Sequence, residues 1–194
     1  AEYRPDEVQY VCPKDSGNLD IVLDYPVLQH SDARDQISRS GVASMWRYFP
    51  LLPAARIPDG STPIHTVGWS PVYHLKNIAV EKGVRNLFLK DDGRNPTASF
   101  KDRASALVVE RTMEIGAEVV VTASTGNAGA ALAGMAAATG QKAVIFAPRT
   151  APKAKIAQLL VYGARVILVE GSYDDAFDLA VGASHEFGWY CRNT

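Results

Sequence analysis

Val119-Val-Val-Thr-Ala-Ser-Thr-Gly-Asn-Ala-Gly129 runs from a continuously apolar, β-branched stretch into a turn of small and hydroxylic residues. Such a run reads as a buried strand, and the Ala-rich 128–139 behind it reads as a helix stopped by Gly140. The alternation continues outward. Ala143–Ala147 is a strand broken by Pro148, and a helix opens at Pro152 and stops at Gly163. Val166–Val169 is a strand, Tyr173–Phe187 a helix with Gly188 behind it, and Trp189–Cys191 begins another strand. Upstream, Leu87–Lys90 reads as a short strand, and a helix with apolar positions Ala104, Leu107, Val108 and Ile115 ends at Gly116. Strands recur about every 24 residues, which predicts an α/β fold: a parallel sheet with helices on both faces. Right-handed crossovers then bring the strand-to-helix loops to one edge, where ligands of such sheets bind.

The first 75 residues have weak periodicity and many Pro and Gly breaks. Tyr10–Asp24 reads as a small hairpin. It also resembles half of a zinc ribbon, but Asp15 stands where the second cysteine would be, and the structural hairpin is the preferred reading. Residues 1–75 are thus expected to form a hairpin and an irregular lead-in, and residues 76–194 the α/β region. The chain stops at Thr194 just after a strand begins, so the fold is expected to be the incomplete front part of something longer.

Bulk properties exclude several classes. The 194 residues are 47% hydrophobic and 21% charged, with a formal net charge of −1. That balance gives no reason to expect nucleic acid as partner. No apolar run approaches the roughly 18–20 residues of a membrane span, and the first thirty lack the apolar core of a secretory signal. Cys12 and Cys191 lie too far apart in sequence to suggest a disulfide framework. A cytoplasmic protein is expected.

Two loops carry chemistry. In Asn95-Pro-Thr-Ala-Ser-Phe-Lys-Asp-Arg103, Ser99 is placed to cap the following helix. Lys101 in the first helical turn opposes the helix dipole by about 0.3–1 kcal/mol, so its position calls for a reason. As a structural residue it would sit on a solvated face beside Asp102. As a functional one it would offer a nucleophilic amine for Schiff-base chemistry. In Ser124-Thr-Gly-Asn-Ala-Gly129, the glycines permit close backbone approach, and free N–H groups at the helix start attract a carboxylate or phosphate. Ser124 and Thr125 add hydroxyls, and the Asn127 amide can donate to a phenolate-type oxygen.

Together the two loops resemble the β-family of pyridoxal-phosphate enzymes, the fold type of tryptophan synthase β, and within it the threonine synthases. The resemblance extends over Arg47-Tyr-Phe-Pro-Leu-Leu-Pro53, Ser61-Thr-Pro63 and Cys191-Arg-Asn-Thr194, from about residue 10 to the end. Ala98 stands where the family commonly has glycine, and Ala128 where a small hydroxyl residue often sits. The resemblance implies conversion of O-phospho-L-homoserine and water to L-threonine and phosphate. Lys101 would hold the pyridoxal phosphate and act as the catalytic base. Phe100 would pack beside the cofactor ring, with core filling as its alternative role, and Asn127 would face the cofactor's 3′ oxygen. Ser124, Thr125, Gly126, Asn127 and Ala128 would hold the substrate carboxylate, and Arg192, Asn193 and Thr194 the leaving phosphate. A homodimer is implied for the complete enzyme.

The glycine-rich loop that holds the cofactor phosphate in this family does not occur in the sequence. Residues 1–194 alone are therefore expected to bind the cofactor weakly and to lack turnover. Rival readings are a threonine or serine dehydratase, a cysteate-forming synthase, or a non-catalytic half of such an enzyme. His30, His65, His74 and His185 have no spaced ligand partners, and Trp46, Trp69 and Trp189 are expected to be packing residues.

Overall fold

The computed structural model describes residues 1–4, 11–15 and 17–192. The hairpin expected at its start is reduced to one antiparallel bridge, Val11 with Asn18; Tyr10 and Ser16 lie outside the described residues. The rest of the lead-in holds more helix than its weak periodicity suggests. Helix α1 (Tyr25–His30) begins where Asp24 accepts a hydrogen bond from Val27 N–H and Pro26 occupies the first turn. Helix α2 (Ala33–Arg39) follows, then 3₁₀ turns at Met45–Leu51 and Pro63–Thr66. These pieces are too short to show an amphipathic repeat; Asp24 and Ser44 cap the first and third, while the other two have no side-chain cap.

Strand β1 (Val72–His74), helix α3 (Lys76–Glu81) and strand β2 (Phe88–Lys90) come next. Here the structure corrects the sequence reading: β2 pairs antiparallel with β1 in a separate two-stranded sheet and takes no part in the parallel one. Both strands are exposed along their length. Apolar character in a three-residue run therefore did not report burial.

Helix α4 (Asp102–Glu114) leads into β3 (Val119–Ala123), α5 (Asn127–Thr139), β4 (Lys142–Pro148), α6 (Lys153–Val161), β5 (Arg165–Val169), α7 (Tyr173–Phe187) and β6 (Tyr190–Cys191). The four strands form one parallel sheet in the order β5-β4-β3-β6. Its central strands are buried on both faces. Val120 and Ile145 join Leu132, Met135 and the alanines of α5, with Leu159 of α6, in one core. Val121, Val144 and Phe146 meet Ala176 and Ala180 of α7 in the other. The chain is thus α/β, with helices on both faces of a parallel sheet. The lead-in shares the first core through Met45, Trp46, Ile64 and Val67, and the fully buried Trp46 donates from Nε1 to Ile64 O at 2.9 Å. Trp69, by contrast, is half exposed, with the Arg47 guanidinium 4.2 Å from its ring centroid.

Among the described residues no helix is long and apolar enough to cross a membrane, and no group of three or more His, Cys, Asp or Glu could hold a metal ion.

Candidate active site

The topology brings two segments of the chain to one edge of the sheet. From β3 the chain proceeds through β4 to β5 on one side, then returns by α7 to place β6 on the other side of β3. The residues that follow β3 and β6 therefore lie side by side at the carboxyl edge of the sheet, the edge where open parallel sheets bind ligands. Residues 124–129 follow β3 at that edge. Arg192 follows β6 and donates its N–H to Val121 O at 2.8 Å. Burial draws the Arg192 guanidinium below its ordinary range, opposed by the charge of Tyr173. Among the described residues that guanidinium makes no hydrogen bond or ion pair. Asn193 and Thr194 lie outside the described residues.

The loop after β3 is folded around Ser124. Its Oγ is buried and accepts from Gly129 N–H at 2.8 Å and Gly126 N–H at 3.2 Å. The hydroxyl expected to serve as an external donor is thus engaged in shaping its own loop. A Cβ at Gly129 would stand 3.0 Å from Ser124 Cβ and 3.3 Å from Ile145 Cγ2, so the helix start sits tight on the sheet only with glycine there. Gly126 has nothing within 4 Å of where a Cβ would be, leaving open space beside the backbone. The N–H groups of Thr125, Asn127 and Ala128 have no partner among the described residues. Three free donors, an open face and a helix start fit an anion.

Lys101 is carried by the start of α4. Of the apolar positions Ala104, Leu107, Val108 and Ile115, Leu107 and Val108 are partly buried against the core, whereas Ala104 and Ile115 are exposed. The buried side is Asp102, Ser105, Ala106, Val109, Glu110 and Thr112. Polar positions are tolerated there because neighbours satisfy several of them. Arg56 pairs with Glu110 at 3.1 Å, and Thr112 hydrogen-bonds Gln141 Oε1 at 2.8 Å. The latter contact brings the ends of α4 and α5 together, so the two helices run in the same sense. Their starts, with Lys101 and Asn127, face the same end of the layer.

The segment before Lys101 is pinned at several points. Asn95 accepts from Gly68 N–H at 2.8 Å and donates to Asp92 O at 2.9 Å. Arg103 closes the segment by pairing with Asp92 at 2.8 Å, which holds that carboxyl below its usual range with help from Ser70. Asp102 is fully buried, not on a solvated face, and accepts from Thr97 N–H at 2.7 Å and from the Thr97 hydroxyl. Ser99 accepts from Lys101 N–H at 3.1 Å, but Lys101 is itself the N-cap and α4 has no side-chain cap, so Ser99 braces the residue before the helix and does not cap its first turn as expected. Ala98 has φ +57°, a left-handed conformation that explains why the family commonly has glycine there.

Within this frame Lys101 is half-buried, and its amine makes no hydrogen bond or ion pair among the described residues. It lies 5.0 Å from the centroid of the Phe100 ring. Phe100 is 58% exposed, so core filling is not its role here. An uncommitted lysine amine, an exposed aromatic face and an anion cradle suit an aldehyde cofactor that needs a covalent anchor. Sequence reasoning missed Thr97 and Asp102 as the pair that fixes this loop. A buried carboxylate five residues from its partner leaves no periodic signal.

One glycine couples the two loops. A Cβ at Gly134 in α5 would fall well inside contact with Thr97 Cγ2, and Asp102 prevents Thr97 from swinging away. Gly134→Ala gains about 1 kcal/mol of helix propensity, but overpacking costs about 1–3 kcal/mol. A net loss of about 0–2 kcal/mol is expected in urea denaturation. A stabilised variant would show that the contact yields freely.

A family model described as pyridoxal-phosphate dependent enzyme matches residues 64–194. Threonine synthase of Methanocaldococcus jannaschii is 36% identical over 194 residues, covering 99% of this chain and 47% of that protein. Threonine synthase of Methanosarcina acetivorans is 38% identical over 180 residues, covering 92% of this chain and 43% of that protein. The chain therefore spans about half the length of these relatives. Among solved structures, O-ureido-L-serine synthase superposes with a TM-score of 0.63 at 26% identity, covering 69% of this chain and 44% of that one.

Proposed function

Because the chain belongs to the family of pyridoxal-phosphate-dependent enzymes, we propose that the protein carrying it is a threonine synthase, acting on O-phospho-L-homoserine and water to give L-threonine and phosphate. The observation that carries the reading of the site is the half-buried Lys101 amine, free of hydrogen bonds and ion pairs among the described residues. The likeness to threonine synthases along nearly the whole chain supports the choice of reaction.

Each residue then has a task. Lys101 would anchor the cofactor and would serve as the base that moves protons at the substrate's α- and β-carbons. Bound pyridoxal phosphate supplies the electron sink that makes those protons acidic and lets phosphate leave. Asn127 Nδ2 donates to the cofactor's 3′ oxygen, and Phe100 flanks the ring. The N–H groups of Thr125, Asn127 and Ala128, with the Thr125 hydroxyl, hold the substrate carboxylate, while Ser124 and Gly126 shape that cradle. Arg192, with Asn193 and Thr194, holds the phosphate that leaves; a partly buried guanidinium without a hydrogen bond or ion pair among the described residues supports this.

The rivals are other members of the same family, and the likeness to O-ureido-L-serine synthase keeps a β-replacement reaction as the second reading. Turnover of O-phospho-L-homoserine, threonine, serine and O-phosphoserine by the complete protein separates them. Threonine formation from O-phospho-L-homoserine at a kcat/KM at least roughly 100-fold above the other three is expected, the size of one lost charged contact. Preference for serine or O-phosphoserine would refute the assignment.

A further inference from the structure

The side chain of Asn127 is held from outside its own loop. Lys155, in the first turn of α6, donates from Nζ to Asn127 Oδ1 at 2.7 Å and to Gln158 Oε1 at 3.3 Å. An ammonium has donors only, so it can bind the amide through oxygen alone. That contact settles which way the amide faces. Nδ2 is the end left over, and it has no hydrogen-bond partner among the described residues. The positive charge on the oxygen side also polarises the amide and strengthens Nδ2–H as a donor. Gln158, one turn further along α6, steadies the lysine, and α6 packs on α5, so the arrangement is part of the fold.

We propose that Lys155 is a positioning residue that locks the Asn127 amide with its NH₂ directed to the cofactor. The proposal rests on the reading of Asn127 as the donor to the cofactor's 3′ oxygen. Without Lys155 the amide is free to turn over about its last torsion. It would then present an acceptor to an anionic oxygen, exchanging an attraction for a repulsion. Lys155 acts through Asn127 and takes no proton itself.

The test compares Asn127→Ala, Lys155→Met, Lys155→Arg and the Asn127→Ala/Lys155→Met double variant in the complete protein with pyridoxal phosphate bound. The readouts are the visible absorption maximum and the cofactor dissociation constant, neither of which needs turnover. Lys155→Met keeps the alkyl stem and should move the band in the same direction as Asn127→Ala. It should also weaken cofactor binding about 10-fold, as loss of a hydrogen bond to a charged group does. The double variant should shift no further than Asn127→Ala, and Lys155→Arg should restore the parent spectrum. A parent-like spectrum for Lys155→Met beside a shifted Asn127→Ala overturns the proposal and leaves the reading of Asn127 standing. An additive shift in the double variant also overturns it, since Lys155 would then act by another route. An unshifted Asn127→Ala overturns both.

Discussion

Lys101→Ala is expected to abolish covalent attachment of pyridoxal phosphate and to lower turnover of the complete protein by about 10²–10⁴-fold or more. The effect should be chemical and not structural. The amine makes no hydrogen bond or ion pair among the described residues, and its recorded contact is the exposed ring of Phe100 at 5.0 Å. A cation over an exposed ring contributes about 0.5–1 kcal/mol, so the variant should unfold within about 1 kcal/mol of the parent. Large loss of activity with small loss of stability separates this position from the pinned residues around it. Activity near the parent level would remove Lys101 from the site, and a large stability loss would make it a structural residue. Turnover and urea midpoints measured on the same preparations give both answers.

Asp102→Ala is expected to act in the opposite sense, through the fold. It strips Thr97 of the acceptor for both its N–H and its hydroxyl, in a place where Thr97 and Asp102 are both buried. Each stranded donor costs about 1–3 kcal/mol, and removing a desolvated carboxylate offsets part of that, so a net loss of about 2–4 kcal/mol is expected. Because Thr97 lies four residues before Lys101, cofactor affinity should fall as well. Asp102→Asn is the milder partner. Its oxygen can accept from Thr97 N–H while its NH₂ donates to the Thr97 hydroxyl, so it should lose less.

The two Asp102 variants also carry a pH signature. Burial pushes the Asp102 carboxyl up, with the Thr97 hydrogen bonds working against it. A folded value above the unfolded one means that the native state holds its proton more tightly. Its favourable contribution is full below the unfolded pKa of about 3.9 and declines as pH rises through the folded value. Asparagine does not titrate. The stability difference between parent and Asp102→Asn should therefore move in favour of asparagine across that window. A difference independent of pH would mean that Asp102 is no harder to ionise in the fold than outside it.

How much of this was legible in the sequence depends on the kind of signal. The strands at 119–123, 142–148 and 165–169 and the helix Tyr173–Phe187 follow from continuous apolar runs, helical spacing and stopping glycines. Those signals are local and strong. β2 looked equally apolar, yet it pairs with β1, because pairing depends on the partner and three residues do not specify one. The burial of α4 was only partly legible: Leu107 and Val108 pack on the core, but the helix also buries Asp102, Glu110 and Thr112, whose partners lie outside it. In the site, the free N–H groups after β3 and the half-buried amine of Lys101 lie in short motifs that the sequence displays. The hold of Lys155 on Asn127 does not, since 28 positions separate them and only the packing of α6 on α5 brings them together. For Ser124 the sequence displayed the hydroxyl but not its local task, since its oxygen accepts from two amides of its own loop.

Borohydride reduction of the complete protein with pyridoxal phosphate, followed by proteolysis and peptide mapping, tests the central claim most directly. Reduction fixes the cofactor to whichever amine holds it, without any requirement for turnover. The label is expected on Lys101, within the peptide that contains Ser99-Phe-Lys-Asp-Arg103. Label on Lys90, Lys153 or Lys155 in place of Lys101 would contradict the account.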